Sequence, residues 1–207
     1  AEKVKPWKDY RKIFITEKRI TEGVDFWRKN RAVLSEASRQ YQVAPEVIVA
    51  IIGVETFYGR IKGSFRVIDA LATLSFDYPP RSPFFTKQLE QFLLLAREQD
   101  QDPLKLMGSY AGAMGYGQFI PSSYRSFAVD FDGDGFADIW ENKADAIGSV
   151  ANYFAEHGWK MGETVVVPAG IKESFDETLL NQSGLDKTVD ELAKMGFSSH
   201  LPLNGDA

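Results

Sequence analysis

The chain has 207 residues, 44% hydrophobic and 13% aromatic, with 24 basic and 29 acidic side chains for a net charge of -5. That supports a packed core in one large or two to three small domains, and it argues against disorder and against nucleic acid as a partner. Cysteine is absent, and the two histidines, His157 and His200, form no HExxH pair, so thiol chemistry, disulfides and that type of zinc site are excluded.

Residues 1–45 read as helical, with Val24, Trp27, Val33, Leu34 and Ala37 at mostly helical spacing between Ile20 and Tyr41. The next run, Ala44 to Arg60, is the most informative. Pro45 stands where a helix begins and Gly59 where one ends. On a 3.6-residue period Ile48, Ile51, Ile52 and Glu55 share a face. A carboxylate on a buried stripe is costly unless paired, hydrated or protonated, and desolvation raises its pKa toward the range of a general acid. A Glu salt-bridged to Arg60, or simply solvated beyond the last apolar turn, is the structural alternative.

Residues 66–75 and 83–98 read as two more helices, separated by Tyr78-Pro79-Pro80-Arg81. Phe84, Phe85, Leu89, Phe92, Leu93 and Ala96 make the apolar stripe of the second, and Asp102-Pro103 ends that layer. Ala144 to His157 reads as an amphipathic helix closed by Gly158. From Gly162 the texture changes: Glu163 to Pro168 is β-rich, and Val189 to Met195 suits one short helix. No run approaches the roughly 18 apolar residues of a membrane span. The start, Ala1 to Val4, is not a signal peptide, so the protein is expected either to be cytoplasmic or to have lost its leader.

Two motifs carry chemistry. From Gly108 to Tyr124, small residues permit close backbone approach, and Ser109, Tyr116, Gln118 and Tyr124 are neutral hydrogen-bonders suited to sugar hydroxyls and acetamides. A glycine-rich structural turn is equally compatible with that composition. From Asp130 to Glu141 the chain fits D-x-[DN]-x-[DN]-G-x5-E, the EF-hand calcium loop, at every fixed position. Asp130, Asp132 and Asp134 converge there, and so many carboxylates would repel one another without a cation.

These segments, with Ile51 to Thr56, Asp69 to Phe76 and Asp145 to Phe154, resemble lytic murein transglycosylases of the B type, in order over about residues 7 to 205. The resemblance implies an α+β, mainly α fold. Its parts would be a helical domain (1–45 with 66–107), a lysozyme-like catalytic core (46–65 with 108–160) and a small β-containing domain (161–207). It implies cleavage of the β-1,4 bond between N-acetylmuramic acid and N-acetylglucosamine, leaving a 1,6-anhydro end. The family's catalytic Glu matches Glu55, and its cleft residues match Ser109, Gln118, Tyr153, Tyr116 and Tyr10. A structural Ca²⁺ matches Asp130, Asp132, Asp134, the Phe136 carbonyl and a later carboxylate, either Asp145 or Glu141.

The implied partners are peptidoglycan glycan strands and other cell-wall enzymes, and the implied location is the periplasm. A lipid-anchored member needs a Cys, so a soluble form is expected. The family's late Tyr-Asn-x-Ser-x-x-Tyr motif is not found before Ala207, so a shortened form with an incomplete cleft is expected. A hydrolysing lysozyme using the same Glu, and a non-catalytic, calcium-stabilised peptidoglycan-binding protein, are the alternatives.

Overall fold

The computed structural model describes residues 5–180 and 186–199, so His200 and the first four residues lie outside it. The chain divides into two compact units, with the boundary between Met161 and Gly162.

The first unit is helical. The expected helical stretch at the start is three helices, α1 (Trp7–Phe14), α2 (Glu17–Lys29) and α3 (Arg31–Tyr41). Thr16 caps α2 by accepting the Arg19 amide at 3.2 Å, which stops α1 from running on. Helix α4 (Pro45–Thr56) starts with Pro45 in its first turn. It ends earlier than Gly59: Phe57 turns left-handed at φ 52°, its amide bonding back to the Gly53 carbonyl at 3.1 Å, and Tyr58 follows at φ 61°. Two consecutive non-glycine residues in that region cost about 1–3 kcal/mol each, so their surroundings must hold them.

Helices α5 (Val67–Phe76) and α6 (Ser82–Glu98) pack on each other, joined by a 3-10 turn at Pro79–Arg81. The buried stripe of α6 is Phe85, Gln88, Phe92, Leu95 and Ala96. Phe84 and Leu93, expected inside, are 38% and 47% exposed. Gln88 takes the inner position because its side-chain oxygen accepts the Ser122 amide at 3.0 Å, seating a helix absent from the sequence reading, α7 (Pro121–Phe127). Helix α8 (Lys143–Glu156) is capped by Asn142, which accepts the Ala144 amide at 2.9 Å, and it lies against α3. A two-residue ladder, β1 (Phe65–Arg66) with β2 (Met107–Gly108), is antiparallel with Phe65 opposite Gly108, and Met114 bridges Gly108 to Phe119.

One buried cluster runs through these elements. Leu34, Ile48, Ile52, Leu71, Phe92, Met114 and Ile147 have no exposed surface. At roughly 1.5–3 kcal/mol per buried large side chain, this cluster dominates the first unit's stability.

In the second unit, β3 (Ala169–Ile171) pairs antiparallel with β4 (Phe197–Ser199), and α9 (Val189–Lys194) begins at a capping box between Thr188 and Glu191. The β-rich run Glu163 to Pro168 is not itself in a strand. Val165 and Val166 are 73% and 83% exposed, and among the described residues no strand pairs with them.

Gly63 has φ 93°, and a Cβ added there would lie 2.0 Å from the Gly108 carbonyl oxygen. Gly63→Ala is expected to cost about 3 kcal/mol, lowering Tm by roughly 6–12 °C. A change under about 2 °C in a thermal melt would show that the ladder can shift to admit a methyl group.

Candidate active site

Helix α4 is apolar on every side, so its rotation is fixed by which residues reach the core. Ile48, Ile52 and Thr56, at i, i+4 and i+8, are the buried stripe. Ile51 and Glu55 form the next stripe and face a cleft of about 260 Å³. Glu55 is therefore exposed, not on the buried stripe as its spacing suggested. The cleft's apolar walls are Ile51, Phe119, Ile120, Val150 and Phe154, with Gln118, Ser123 and Tyr153 as polar neighbours. Burial against these walls raises the Glu55 carboxyl above its ordinary 4.5, even though the group meets solvent. Among the described residues it has no hydrogen-bond or ion-pair partner. Arg60, the alternative partner, is paired with Glu22 at 2.9 Å.

The turn after Glu55 is tied down by its neighbour. Thr56 Oγ1 accepts the Gly59 amide at 3.0 Å and shares its hydrogen between the carbonyls of Ile52 (3.1 Å) and Tyr116 (2.9 Å). This joins the catalytic-candidate helix to the glycine-rich loop.

Of the other residues singled out by sequence, Gln118 and Tyr153 line the cleft with Glu55. Gln118 is held with its amide nitrogen donating to the Gly115 carbonyl at 2.9 Å. Tyr153 meets Phe119 and Phe127 edge-on and stacks on His157 with centroids 4.0 Å apart. Tyr116 is buried beneath the Lys62 ammonium, 4.9 Å from the ring centroid. Ser109 is not in the cleft lining; its Oγ accepts the amides of Ala111 (3.2 Å) and Ala113 (3.1 Å) and shapes the loop. Tyr124 donates its hydroxyl to the Ala137 carbonyl at 2.9 Å and is likewise internal. Tyr10 sits on α1, 46% exposed between Trp7 and Phe14, and is not brought to the cleft. Sequence reasoning missed Ser123 and Phe119 as lining groups; the only available signal was their place in the glycine-rich run.

A second hollow of about 420 Å³ is lined by Glu22, Asp25, Lys29, Arg60 and Lys143. It is larger and also touches Phe26, Asn30 and Tyr58, but its ionisable groups include the Glu22–Arg60 pair, so the smaller cleft with the shifted Glu55 carboxyl is the better candidate.

The acidic loop forms a cage. Oxygen atoms of Asp130, Asp132, Asp134 and Asp145 lie within 4.8 Å of one another. Asp145 is fully buried at the start of α8, accepting the amides of Phe131 and Asp138, each at 2.8 Å. Glu141 is turned away: it pairs with Lys62 at 2.8 Å, and its side chain is 79% exposed. The Phe136 carbonyl accepts the Asp138 amide at 2.9 Å. An all-oxygen set of this charge fits a hard cation such as Ca²⁺.

The chain belongs to the transglycosylase SLT domain family, whose model matches residues 1–204. The membrane-bound lytic murein transglycosylase B of Escherichia coli (strain K12) is 52% identical over 188 residues, 86% of this chain and 52% of that protein. The chain thus spans about half the length of that curated relative. The X-ray structure of the catenated lytic transglycosylase SltB1 from Pseudomonas aeruginosa matches at 57% identity and TM-score 0.94, over 100% of this chain and 68% of that one. The E. coli lytic transglycosylase Slt35 in complex with calcium matches at 49% identity and TM-score 0.86, over 97% and 63%. SltB3 from P. aeruginosa, in complex with NAG-anhNAM-pentapeptide, matches at 34% and TM-score 0.84, over 95% and 52%. The fold is α+β, mainly α and lysozyme-like, as the sequence implied.

A carboxyl raised on folding contributes stability that is fully present below its unfolded pKa and lost as pH rises through its folded value. Glu55→Gln removes that loss. Its melting temperature relative to wild type should therefore climb between about pH 4 and pH 8. A difference that stays flat or falls across that range would mean Glu55 is not desolvated.

Proposed function

We propose that this chain holds the catalytic centre of a peptidoglycan lytic transglycosylase that cleaves between N-acetylmuramic acid and N-acetylglucosamine. One observation carries the reading: among the described residues Glu55 is the sole carboxyl lining the cleft, without a hydrogen-bond or ion-pair partner and raised by its apolar walls. Ordinary glycosidases flank the bond with two carboxyl groups, one as acid and one as nucleophile or base. One carboxyl suffices if the substrate supplies the nucleophile, an arrangement that suits ring closure.

In this mechanism, protonated Glu55 donates its proton to the glycosidic oxygen as the bond from that oxygen to the anomeric carbon breaks. The N-acetyl carbonyl oxygen of the muramyl sugar closes on the anomeric carbon. Glu55, now ionised, takes the proton from the 6-hydroxyl, whose oxygen replaces the acetamide oxygen and completes the 1,6-anhydro ring. The carboxyl returns to its protonated state. Gln118 and Tyr153 orient the sugars beside the Glu55 carboxyl. Ser109 and Tyr116 act at one remove, by shaping the loop that carries Gln118. Within the first unit, residues 46–65 with 108–160 serve as the catalytic core, and the helical stretches of 5–45 with 66–107 serve as a layer that braces it. Peptidoglycan as substrate places the working enzyme in the periplasm; among the described residues no helix is long and apolar enough to cross a membrane.

Glu55→Gln should lower the rate of glycan cleavage by roughly 10²–10⁴-fold while keeping the fold. Mass spectrometry of muropeptides released from sacculi by the wild type should find anhydromuramic ends. Products one water heavier would make the enzyme a hydrolase, and wild-type turnover by the Gln variant would remove Glu55 from the chemistry.

The acidic cage is read as a structural Ca²⁺ site held by Asp130, Asp132, Asp134, Asp145 and the Phe136 carbonyl. When bound, the ion would neutralise the clustered carboxylates and fasten the start of α8. It should stabilise the fold by about 2.7 kcal/mol at a hundredfold excess over Kd. Calorimetry should show a lower melting temperature on chelation, and Asp145→Asn should abolish that difference. A melting temperature indifferent to chelator in the wild type would mean that the cage does not hold the ion.

A further inference from the structure

We propose that Arg19, on α2, is a positioning residue for Glu55, holding from outside the left-handed turn that ends α4; the inference rests on the reading of Glu55 as the acid. The Glu55 carboxyl has no partner among the described residues, so its direction is set by its own backbone and the cleft walls. That backbone runs straight into Phe57 and Tyr58, both strained at positive φ. Helix α4 has no basic residue in its last turn to face its carbonyl end.

Arg19 supplies that cation from another helix. Its Nη1 donates to the Gly53 carbonyl and lies 3.5 Å from the Val54 carbonyl, at the outer limit of a bond. The Val54 carbonyl belongs to the peptide plane shared with Glu55. The guanidinium sits 4.7 Å from the Phe57 ring centroid and 5.5 Å from that of Phe14, so it also fixes the ring of the first strained residue.

The second strained residue completes the clasp. The Tyr58 hydroxyl donates to the Arg19 carbonyl at 2.9 Å. Its ring fills space left open by two glycines, for a Cβ on Gly23 or Gly53 would lie 2.4 or 2.6 Å from the phenol oxygen. Among the described residues Arg19 Nε has no hydrogen-bond partner, and the guanidinium reaches the end of α4 through Nη1.

Arg19→Met keeps the stem and removes the donor, Arg19→Lys keeps a cation that can still bridge carbonyls, and Tyr58→Phe keeps the ring and removes the return bond. Turnover is measured on soluble uncrosslinked glycan strands, with Glu55→Gln as the inactive control. Arg19→Met should lower kcat by about ten- to a hundredfold, the scale of a catalytic group displaced by an ångström, with KM changed by no more than about twofold. The pH of half-maximal rate should not move, because desolvation and not Arg19 sets the Glu55 shift. Arg19→Lys should recover to within about threefold of wild type, and Tyr58→Phe should show the same signature more weakly. Wild-type kcat in folded Arg19→Met, a loss confined to KM, or Arg19→Lys no better than Arg19→Met would overturn the inference. If Arg19→Met does not fold, unchanged kcat in Tyr58→Phe overturns it. A full-length wild-type protein that cleaves no glycan overturns the reading of Glu55 itself, and this inference with it.

Discussion

A helix as apolar as α4 can be buried on all sides but one, and the direction of that remaining side decides where its single late carboxyl goes. Ile48 and Ile52 have no exposed surface, and Thr56 is 1% exposed. Those three lock the rotation of the helix about its axis. With that angle fixed, Ile51 and Glu55 are delivered to the cleft as a pair, an apolar neighbour one turn below the carboxyl. The glycine-rich loop is then registered on the same helix by the Thr56 hydroxyl at the Tyr116 carbonyl. Site geometry in this protein is a consequence of core packing.

The electrostatics follow from the same arrangement. A carboxyl paired with Arg60 would be held ionised and would be a poor acid. Here Arg60 is paired with Glu22 and Lys62 with Glu141, and neither lines the cleft. The cleft walls then act alone on Glu55, and they favour its protonated form. The loop carboxylates are kept apart from this chemistry, in a cage whose buried member, Asp145, belongs to α8.

Much of this was legible in the sequence. Pro45 marked the start of α4, the fixed positions of the acidic loop marked the cage, and the glycine-rich run marked Gln118. What was not legible depends on partners distant in the chain. Spacing alone could not separate the Ile48–Ile52 stripe from the adjacent Ile51–Glu55 stripe, because both lie within one helical face and only the core's edge distinguishes them. That Glu141 stands outside the acidic cluster goes with its pairing to Lys62, 79 residues away in the chain. The end of α4 at Phe57 instead of Gly59 required the clasp from α2, since two left-handed non-glycine residues have no local signal. The valine run at Val165 and Val166 carried β propensity, but among the described residues no strand lies beside it.

The proposed chemistry turns on one carboxyl, Glu55, held in an apolar cleft without a charged partner among the described residues. Carbon-13 NMR of the protein labelled at glutamate side-chain carboxyls, with Glu55→Gln to assign the resonance, measures this on the group itself. The account predicts a Glu55 midpoint above 4.5, the ordinary value for the residue. A midpoint at or below it would contradict the account, because the cleft would then be holding a base and not an acid.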